Sequence, residues 1–498
     1  MNPHIKKISL QAYMSRGMFW VLLFLLVCRI VAMVVVPLND TTEARYGEIA
    51  RIMVETNDWV TPMHQYNVPF WAKPPLSTWL SAGSMTYLDV SAFAARLPAL
   101  FLSLGVLALV WGLAQLRGGR LTAINATVVL ASSLYFYLDA GTVMTDPSLL
   151  FSTTLMMVAF WRAVVEHQRG WSYVFFIAMA LGLLAKGPVA LILAGMPIGL
   201  WVILENKWSA IWQRLPWVVG LFLMMIIAFP WYYLAEQKTP GFLHYFIMGE
   251  HVQRFLQPGW QGDKYGFAHS APLGMIWLYA LIGTLPWCIP GMFWMIRHRK
   301  RLPSICRDDA GWMRYVMLCA LTPLIFFTFA RNIIYPYVFP SLPAFALLFA
   351  EMVRRSDISE KHIKRFIPLA TCCGWGFLML SVIFVWRPEW VAKSQDRVVS
   401  SFYAQHPSPH DVLIYWSGKT DYSAQFYSKG HAVSTLNAAV LCQWLSKPGK
   451  HYVVLDSEDP HPMPPQILVH MTKVDDVAVL SKRFRLFVTH QDVDYCNA

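Results

Sequence analysis

The feature that most constrains this chain is a series of apolar runs, each about 20 residues long, the length a helix needs to cross the hydrocarbon core of a bilayer. The first, Phe19 to Pro37, follows Lys6, Lys7 and Arg16. It is longer than the apolar region of a signal peptide and has no small-residue cleavage site, so it reads as a retained first span. Further helices are expected near 95–116, 121–138, 147–165, 171–186, 188–204, 216–234, 273–296, 312–330, 332–351 and 366–386, about eleven spans in all. Composition agrees: 56% of the 498 residues are hydrophobic and 14% charged, against about 25% charged in soluble chains. The fold class is thus read as an all-α polytopic membrane domain followed by a small soluble α/β domain.

If the spans are real, Lys and Arg should collect on alternate connections. They do: Arg117 with Arg120, Arg162 with Arg169, Lys207 with Arg214, Arg297 to Arg301, and Arg354 through Lys364 and Arg365. These connections are assigned to the cytoplasm together with the N-terminus. The segment 38–94, the turn 139–146, the turn at Lys186, the segment 235–272, the turn at Arg331 and the tail after Trp386 then face outward. This divides the chain into a membrane domain, 1–386, with long outer loops 38–94 and 235–272, and a periplasmic domain, 387–498. In the first outer loop, Ala44, Ile49, Ile52 and Met53 recur at helical spacing. An amphipathic helix over 41–56, lying at the interface, is expected there. The tail alternates strand-like runs, Val412 to Trp416, Tyr452 to Leu455 and Arg485 to Val488, with a helical Asp421 to Tyr427 segment.

Several function classes fall away. The net charge of +12 is dispersed beside apolar runs, as topology signals are, and forms no nucleic-acid-binding stripe. No Walker loop or dinucleotide fingerprint occurs. Cys28, Cys288, Cys372 and Cys373 lie inside spans, and no paired CxxC framework exists. Cys442 and Cys496 remain as one pair that an oxidising compartment would allow to bridge.

Charges at membrane depth are expensive and commonly functional, and those on the outward side gather in clusters. Asp40, Glu43, Arg45, Tyr46 and Glu48 follow the first span. An acid there suits a general base toward an acceptor hydroxyl or phosphate; the bland alternative is the polar face of an interfacial helix. Lys73, in Lys73-Pro74-Pro75-Leu76, is placed to pair with phosphate, or to snorkel at a helix entrance. Asp146 opens one span and Lys186 closes another; they either neutralise each other or leave Lys186 for a phosphate oxygen. Glu250, His251 and Arg254, with Asp263, Lys264 and His269 following, suit an anionic head group or a divalent metal ion. Arg331 is a further outward cation near Tyr335 and Tyr337, or an interfacial anchor.

In order along the chain, Thr42-Glu43-Ala44-Arg45-Tyr46-Gly47-Glu48, Asp58-Trp59, Lys73-Pro74-Pro75-Leu76, Arg96-Leu97-Pro98, Thr145-Asp146-Pro147, Ala185-Lys186-Gly187-Pro188 and Glu250-His251-x-x-Arg254-Phe255 resemble the bacterial aminoarabinose transferase and protein O-mannosyltransferase-like families. The resemblance covers about residues 20–350 and rests on motif order. It implies a GT-C-type membrane glycosyltransferase that takes a sugar from a polyprenyl-phosphate donor on the outer side of the bacterial inner membrane. The acceptor is a lipid, such as lipid A phosphate in the aminoarabinose branch, or another envelope glycan. Family members commonly carry an Asp-Glu pair where this chain has Thr42-Glu43, so both Glu43 and Asp40 stand as candidate bases. The aminoarabinose branch has Glu before the lysine of the second motif, a residue implicated in metal binding, where this chain has Ala72. One displacement at the anomeric carbon, with inversion, is the expected chemistry, and Lys73, Lys186, Arg254 and Arg331 would steady the phosphates. Two rival classes remain, a secondary transporter or lipid flippase and a non-catalytic envelope assembly protein. A transporter calls for charges near the bilayer midplane, whereas here they gather at the outer rim.

Overall fold

The computed structural model describes residues 3–266, 269–300, 311–355, 366–408, 410–480 and 482–490. Arg301, Lys364, Arg365 and Cys496, which entered the topology and cysteine readings, lie outside them. Among the described residues, six helices are long and apolar enough to span a bilayer: Arg16–Val35 within α1 (Pro3–Val35), α4 (Ala92–Ala131), α6 (Asp146–Val164), α10 (Trp217–Lys238), Tyr335–Arg355 and Phe366–Trp386. Helices Met275–Gly283 and Cys288–Arg297 meet at 103° and make a seventh if taken together. Pro286, which has no N–H to continue the ladder, sits in that break. The shorter apolar helices α8 (Pro188–Leu204) and Trp312–Thr328, and α7 (Arg169–Lys186), fall where spans were also read.

α4 runs for 40 residues. A straight helix of that length would reach about 60 Å, twice the hydrocarbon thickness. Gly119 interrupts it with a left-handed φ of 77°, a conformation that costs glycine little. The runs read as separate spans near 95–116 and 121–138 are the two arms of this broken helix. The second arm ends at Ala131, and the short α5 (Leu134–Asp139) follows.

The membrane core is aromatic. Trp161, Trp201, Trp312 and Tyr315 are fully buried, with Trp161 4.7 Å from Trp312 and 5.7 Å from Trp201 between ring centres. Two of them find polar partners: Tyr315 donates to the Met157 carbonyl at 2.7 Å and Trp201 to that of Gly311 at 2.8 Å, as buried aromatic O–H and N–H groups commonly do. The Arg117 guanidinium lies 5.4 and 5.3 Å over Trp161 and Trp312, so this topology signal also caps the cluster. On α10, Phe222, Ile226 and Phe229 stay exposed, the face such a helix offers to lipid.

The first outer loop folds as α2 (Thr42–Thr56), the hairpin β1 (Met63–Gln65) and β2 (Val68–Pro69), and α3 (Leu76–Leu88). The helix expected over 41–56 is present, but its setting differs from the expectation of an interfacial helix with a solvated polar face. Glu43, Glu48 and Arg51 are buried with Ile49, Ile52 and Met53. Glu48 accepts two hydrogen bonds from Arg51, at 2.7 and 2.8 Å, and such pairing is what lets charges be buried. A periodicity argument registers only the apolar stripe and is blind to ion pairs that form on the other side.

At the C-terminal end, five strands form one sheet in the order β4 (Ala432–Thr435), β3 (Val412–Trp416), β5 (His451–Asp456), β7 (Lys482–Thr489), β6 (Met471–Val479). The first three are parallel; β7 runs antiparallel to both its neighbours. The three strand-like runs and the helix read from the tail are all present, the helix as Tyr422–Tyr427. Replacing Trp161 by Ala should cost about 3–5 kcal/mol, and replacing lipid-facing Phe222 about 0.5 kcal/mol or less. Thermal unfolding in detergent should therefore show a large downward shift for the first variant and almost none for the second.

Candidate active site

The charged residues of these motifs converge on two cavities separated by the segment 332–340. The first, about 290 Å³, is lined by Lys73, Lys186, Glu250, His251 and Arg254 together with apolar side chains that include Ile192, Phe326 and Phe327. The second, about 520 Å³, is lined by Asp40, Glu43, Arg96, Arg29 and His269, and on its apolar side by Phe377, Leu380 and Phe384. Asn332 and Tyr337 face the first cavity, Tyr335 the second. The His269 backbone N–H donates to Asn332 Oδ1 at 3.0 Å across the partition.

In the first cavity, Glu250 binds Lys73 at 2.7 Å and Arg254 at 3.1 Å. Burial alone would push the Glu250 carboxyl up, but Lys73 and Arg254 outweigh it and hold the group below its ordinary value. Arg254 also reaches Asp263 at 3.5 Å. Lys186 pairs with Asp146 at 2.6 Å and lies 5.1 Å over the Tyr337 ring. Motifs spread from Lys73 to Asp263 in sequence thus meet in one place, where three cations stand among three carboxylates. The cations are preset, and their partners are acids that an incoming anion can displace or bridge.

His251 takes no part in an acidic cluster. Its Nδ1 lies 2.8 Å from the Phe246 carbonyl and its Nε2 3.1 Å from the Lys186 carbonyl; both partners are acceptors, so the neutral ring, with one N–H, donates to one of them at the π-helical turn Tyr245–Gln253. Arg45 and Tyr46, expected to touch substrate, line neither cavity. Arg45 donates to the Tyr265 carbonyl at 2.8 Å and stacks 5.4 Å over Tyr46, which is buried edge-on to Phe70. Arg331 is exposed and lines neither cavity; its carbonyl accepts from the Ala271 N–H.

The two candidate bases sit in unlike settings. Glu43, 8% exposed, receives both arms of Arg96, at 2.7 and 2.8 Å, and the N–H groups of Asn39 and Val143. Burial opposes its charge, but Arg96 and these bonds win and hold the carboxyl below the glutamate range. Arg96 spends its other donors on the carbonyls of Met33, Val36 and Pro37. Asp40 is half-buried and accepts from the Ser423 N–H at 3.1 Å and from the Ser423 hydroxyl. Burial, with Asp421 nearby, pushes its carboxyl up to about 7. A group that titrates near neutrality suits proton transfer better than one locked in its charged form.

Sequence reasoning gave no role to Arg96 or Arg29. Arg96 was visible as part of Arg96-Leu97-Pro98. Arg29, a guanidinium inside the first apolar run, satisfies the criterion of an expensive charge at membrane depth; it donates to the carbonyls of Ala140 and Leu138 and to Thr142 Oγ1. Ser423 left no sequence signal, because it reaches Asp40 only through the fold.

The structure is a polytopic helical one in which cations and carboxylates gather at the ends of its helices, and comparison with known proteins gives it a context. Residues 14–246 match the family model for dolichyl-phosphate-mannose-protein mannosyltransferase. Among curated proteins, the chain is 29% identical over 338 residues to the undecaprenyl phosphate-alpha-4-amino-4-deoxy-L-arabinose arabinosyl transferase 2 of Sodalis glossinidius, covering 65% of this chain and 58% of that protein. It is 27% identical over 355 residues to the corresponding transferase of Erwinia tasmaniensis, covering 70% of this chain and 61% of that one. The matched region is less than two thirds of the length of these curated relatives. The crystal structure of ArnT from Cupriavidus metallidurans bound to undecaprenyl phosphate superposes with a TM-score of 0.72 at 18% identity, covering 95% of this chain and 98% of that one. The chain is thus similar to the mannosyltransferase family model and to the bacterial aminoarabinose transferases, the resemblance its motif order carries, and it shares the ArnT fold.

The Glu43–Arg96 pair generates a prediction. Breaking a buried pair by removing one partner costs about 3–5 kcal/mol, so Arg96→Ala should strongly lower the unfolding midpoint. Because the folded-state pKa of Glu43 is depressed, the stabilisation from its charge is present above the ordinary glutamate pKa and is lost as pH falls through the folded value. The stability gap between wild type and Glu43→Gln should accordingly close on acidification, as read by unfolding midpoints across pH.

Proposed function

We propose that this chain is a GT-C-type membrane glycosyltransferase that moves a sugar from a polyprenyl-phosphate donor, undecaprenyl phosphate being the carrier named for its relatives, to a lipid or glycan acceptor of the cell envelope. The observation that carries the reading is the first cavity, where Lys73, Lys186 and Arg254 share a lining with apolar side chains. That is the chemistry of a phosphate joined to a prenyl chain: cations for the phosphate, apolar walls for the hydrocarbon. The reading takes the membrane part, 1–386, as about eleven spans, with the N-terminus in the cytoplasm of a bacterial inner membrane. Residues 387–498 and both long outer loops are periplasmic in this reading; the alternation of basic connections supports that orientation.

Transfer is a single displacement. An acceptor oxygen attacks the anomeric carbon, the bond from that carbon to the phosphate oxygen breaks, and polyprenyl phosphate leaves with the bonding pair. The anomeric configuration inverts. Lys73, Arg254 and Lys186 meet the charge that grows on the leaving phosphate. Asp40 is the base that takes the acceptor proton. Glu43, whose oxygens are filled by Arg96 and two N–H groups, shapes the cavity in which Asp40 works. Asp146 and Glu250 hold the cations in place, and His251 fixes the turn that carries Glu250 and Arg254.

The tests separate binding from chemistry. Lys73→Ala and Arg254→Ala should each weaken binding of undecaprenyl phosphate by about 10- to 100-fold, the value of a charge-assisted contact, measured with radiolabelled carrier on the purified protein. Asp40→Asn should bind the carrier normally and lower sugar transfer by about 10²–10⁴-fold. Full transfer by Asp40→Asn would remove it as the base, and undiminished carrier binding by both cation variants would remove the first cavity as the donor site.

A further inference from the structure

The C-terminal domain reaches the first outer loop through helix Tyr422–Tyr427, which packs against α2. Tyr427 Oη accepts from the Leu38 N–H at 2.8 Å, and Tyr422 Oη meets His64 Nε2 at 3.0 Å. The Asp40 N–H donates to the Lys393 carbonyl at 2.8 Å, and the Lys393 N–H donates to Asn39 Oδ1 at 3.0 Å. Gly47 permits the approach: a Cβ there would stand 2.7 Å from Leu38 and 3.6 Å from Phe426.

At the centre of this contact lies Ser423, fully buried. The Gln395 N–H donates to Ser423 Oγ at 2.9 Å. A backbone N–H can only donate, so it occupies a lone pair on the serine oxygen and leaves the hydroxyl hydrogen for Asp40. Ser423 thus gives the Asp40 carboxylate two donors, its own N–H on one oxygen and its hydroxyl on the other. Gln395 in turn donates through Nε2 to Asp421 at 3.0 Å.

We propose that Ser423, supplied by the C-terminal domain, is a positioning residue for Asp40, so that the site of the membrane domain is complete only when that domain is docked on the first outer loop. The proposal rests on the reading of Asp40 as the base. The two bonds aim the carboxylate and favour its charged form against Asp421, which faces it from the same domain. The other charged or titratable groups around Asp40 are Lys393, Tyr415 and Tyr422 in the tail and Glu43, Arg96, Arg29, His269 and Tyr335 about the second cavity.

The sign of the effect follows. The carboxyl of Asp40 is raised well above its ordinary value, so the folded protein binds the proton more tightly than the unfolded chain, and ionising Asp40 costs stability as pH rises from about 4 to 7. Without the serine hydroxyl the ionised form loses a donor and the midpoint moves higher. The test compares full-length wild type, Ser423→Ala, Tyr427→Phe and Asp40→Asn by thermal stability across pH in detergent. It also records the acid limb of sugar transfer from a polyprenyl-phosphate donor. Ser423→Ala should move the upper end of the Asp40 stability window, and the acid limb, to higher pH by about one unit. Tyr427→Phe, which removes the acceptor for the Leu38 N–H and leaves Ser423 bonded to Asp40, should move neither, and Asp40→Asn should lack the stability window altogether. An unshifted Ser423→Ala profile, an equal shift in Tyr427→Phe, or a wild-type stability window in Asp40→Asn would each overturn the proposal. If wild type transfers no sugar, the glycosyltransferase reading fails, while the stability profiles still decide whether Ser423 governs Asp40.

Discussion

The ion pair between Glu43 and Arg96 ties together the end of the first span, α2 and α4. Arg96, at the start of α4, grips the last carbonyls of the first span, at Met33, Val36 and Pro37, while Glu43, at the start of α2, takes the arginine and the N–H groups of Asn39 and Val143. One buried contact thereby fixes where the first span ends, where the outer loop turns, and how the turn before α6 lies against both. Each partner would be prohibitively costly to bury alone. Together they make a rigid corner beside the second cavity, and Asp40 is held just outside it.

From that corner the chemistry divides in two. On one side lie the cations Lys73, Arg254 and Lys186, each already matched to a carboxylate. On the other lies Asp40, facing a cavity with charge at one end and the apolar side chains of Phe377, Leu380 and Phe384 at the other. The partition between them is thin enough to be built from one segment, 332–340, whose Tyr337 faces the cations and whose Tyr335 faces the second cavity. A displacement that joins a phosphate-bearing donor to a separate acceptor needs both to reach one carbon, and the segment 332–340, which lines both cavities, marks where they would meet.

Much of this was legible in the sequence because the physics of lipid is severe. Apolar length located the long helices, six of them long and apolar enough to span a bilayer among the described residues, together with both arms of the helix broken at Gly119, and strand-like alternation located β3, β5 and β7 in the tail. Motif order brought out Lys73, Asp146, Lys186, Glu250 and Arg254, which the fold gathers in one place. What the sequence left undetermined was pairing. Nothing local to Glu43 says that Arg96, over fifty positions away, fills its oxygens, and so a locked glutamate and a titratable aspartate looked equally suited to act as the base. Arg45 and Tyr46 share a motif with Glu43 yet pack against Tyr265 and Phe70, because helical periodicity sends neighbours to different faces. Ser423 was invisible for the same reason at longer range: its meaning comes entirely from a contact between the tail and the first loop.

The central claim is that this chain moves a sugar from a lipid-phosphate carrier to an envelope acceptor. Its most direct test is mass spectrometry of lipids and glycans extracted from otherwise identical cells with the intact chain, with the Asp40→Asn variant, and without the chain. The account predicts one added sugar mass on a single class of lipid or glycan in the first sample only. Identical spectra in all three samples, with the protein present in the membrane and the donor present in the extract, would contradict it.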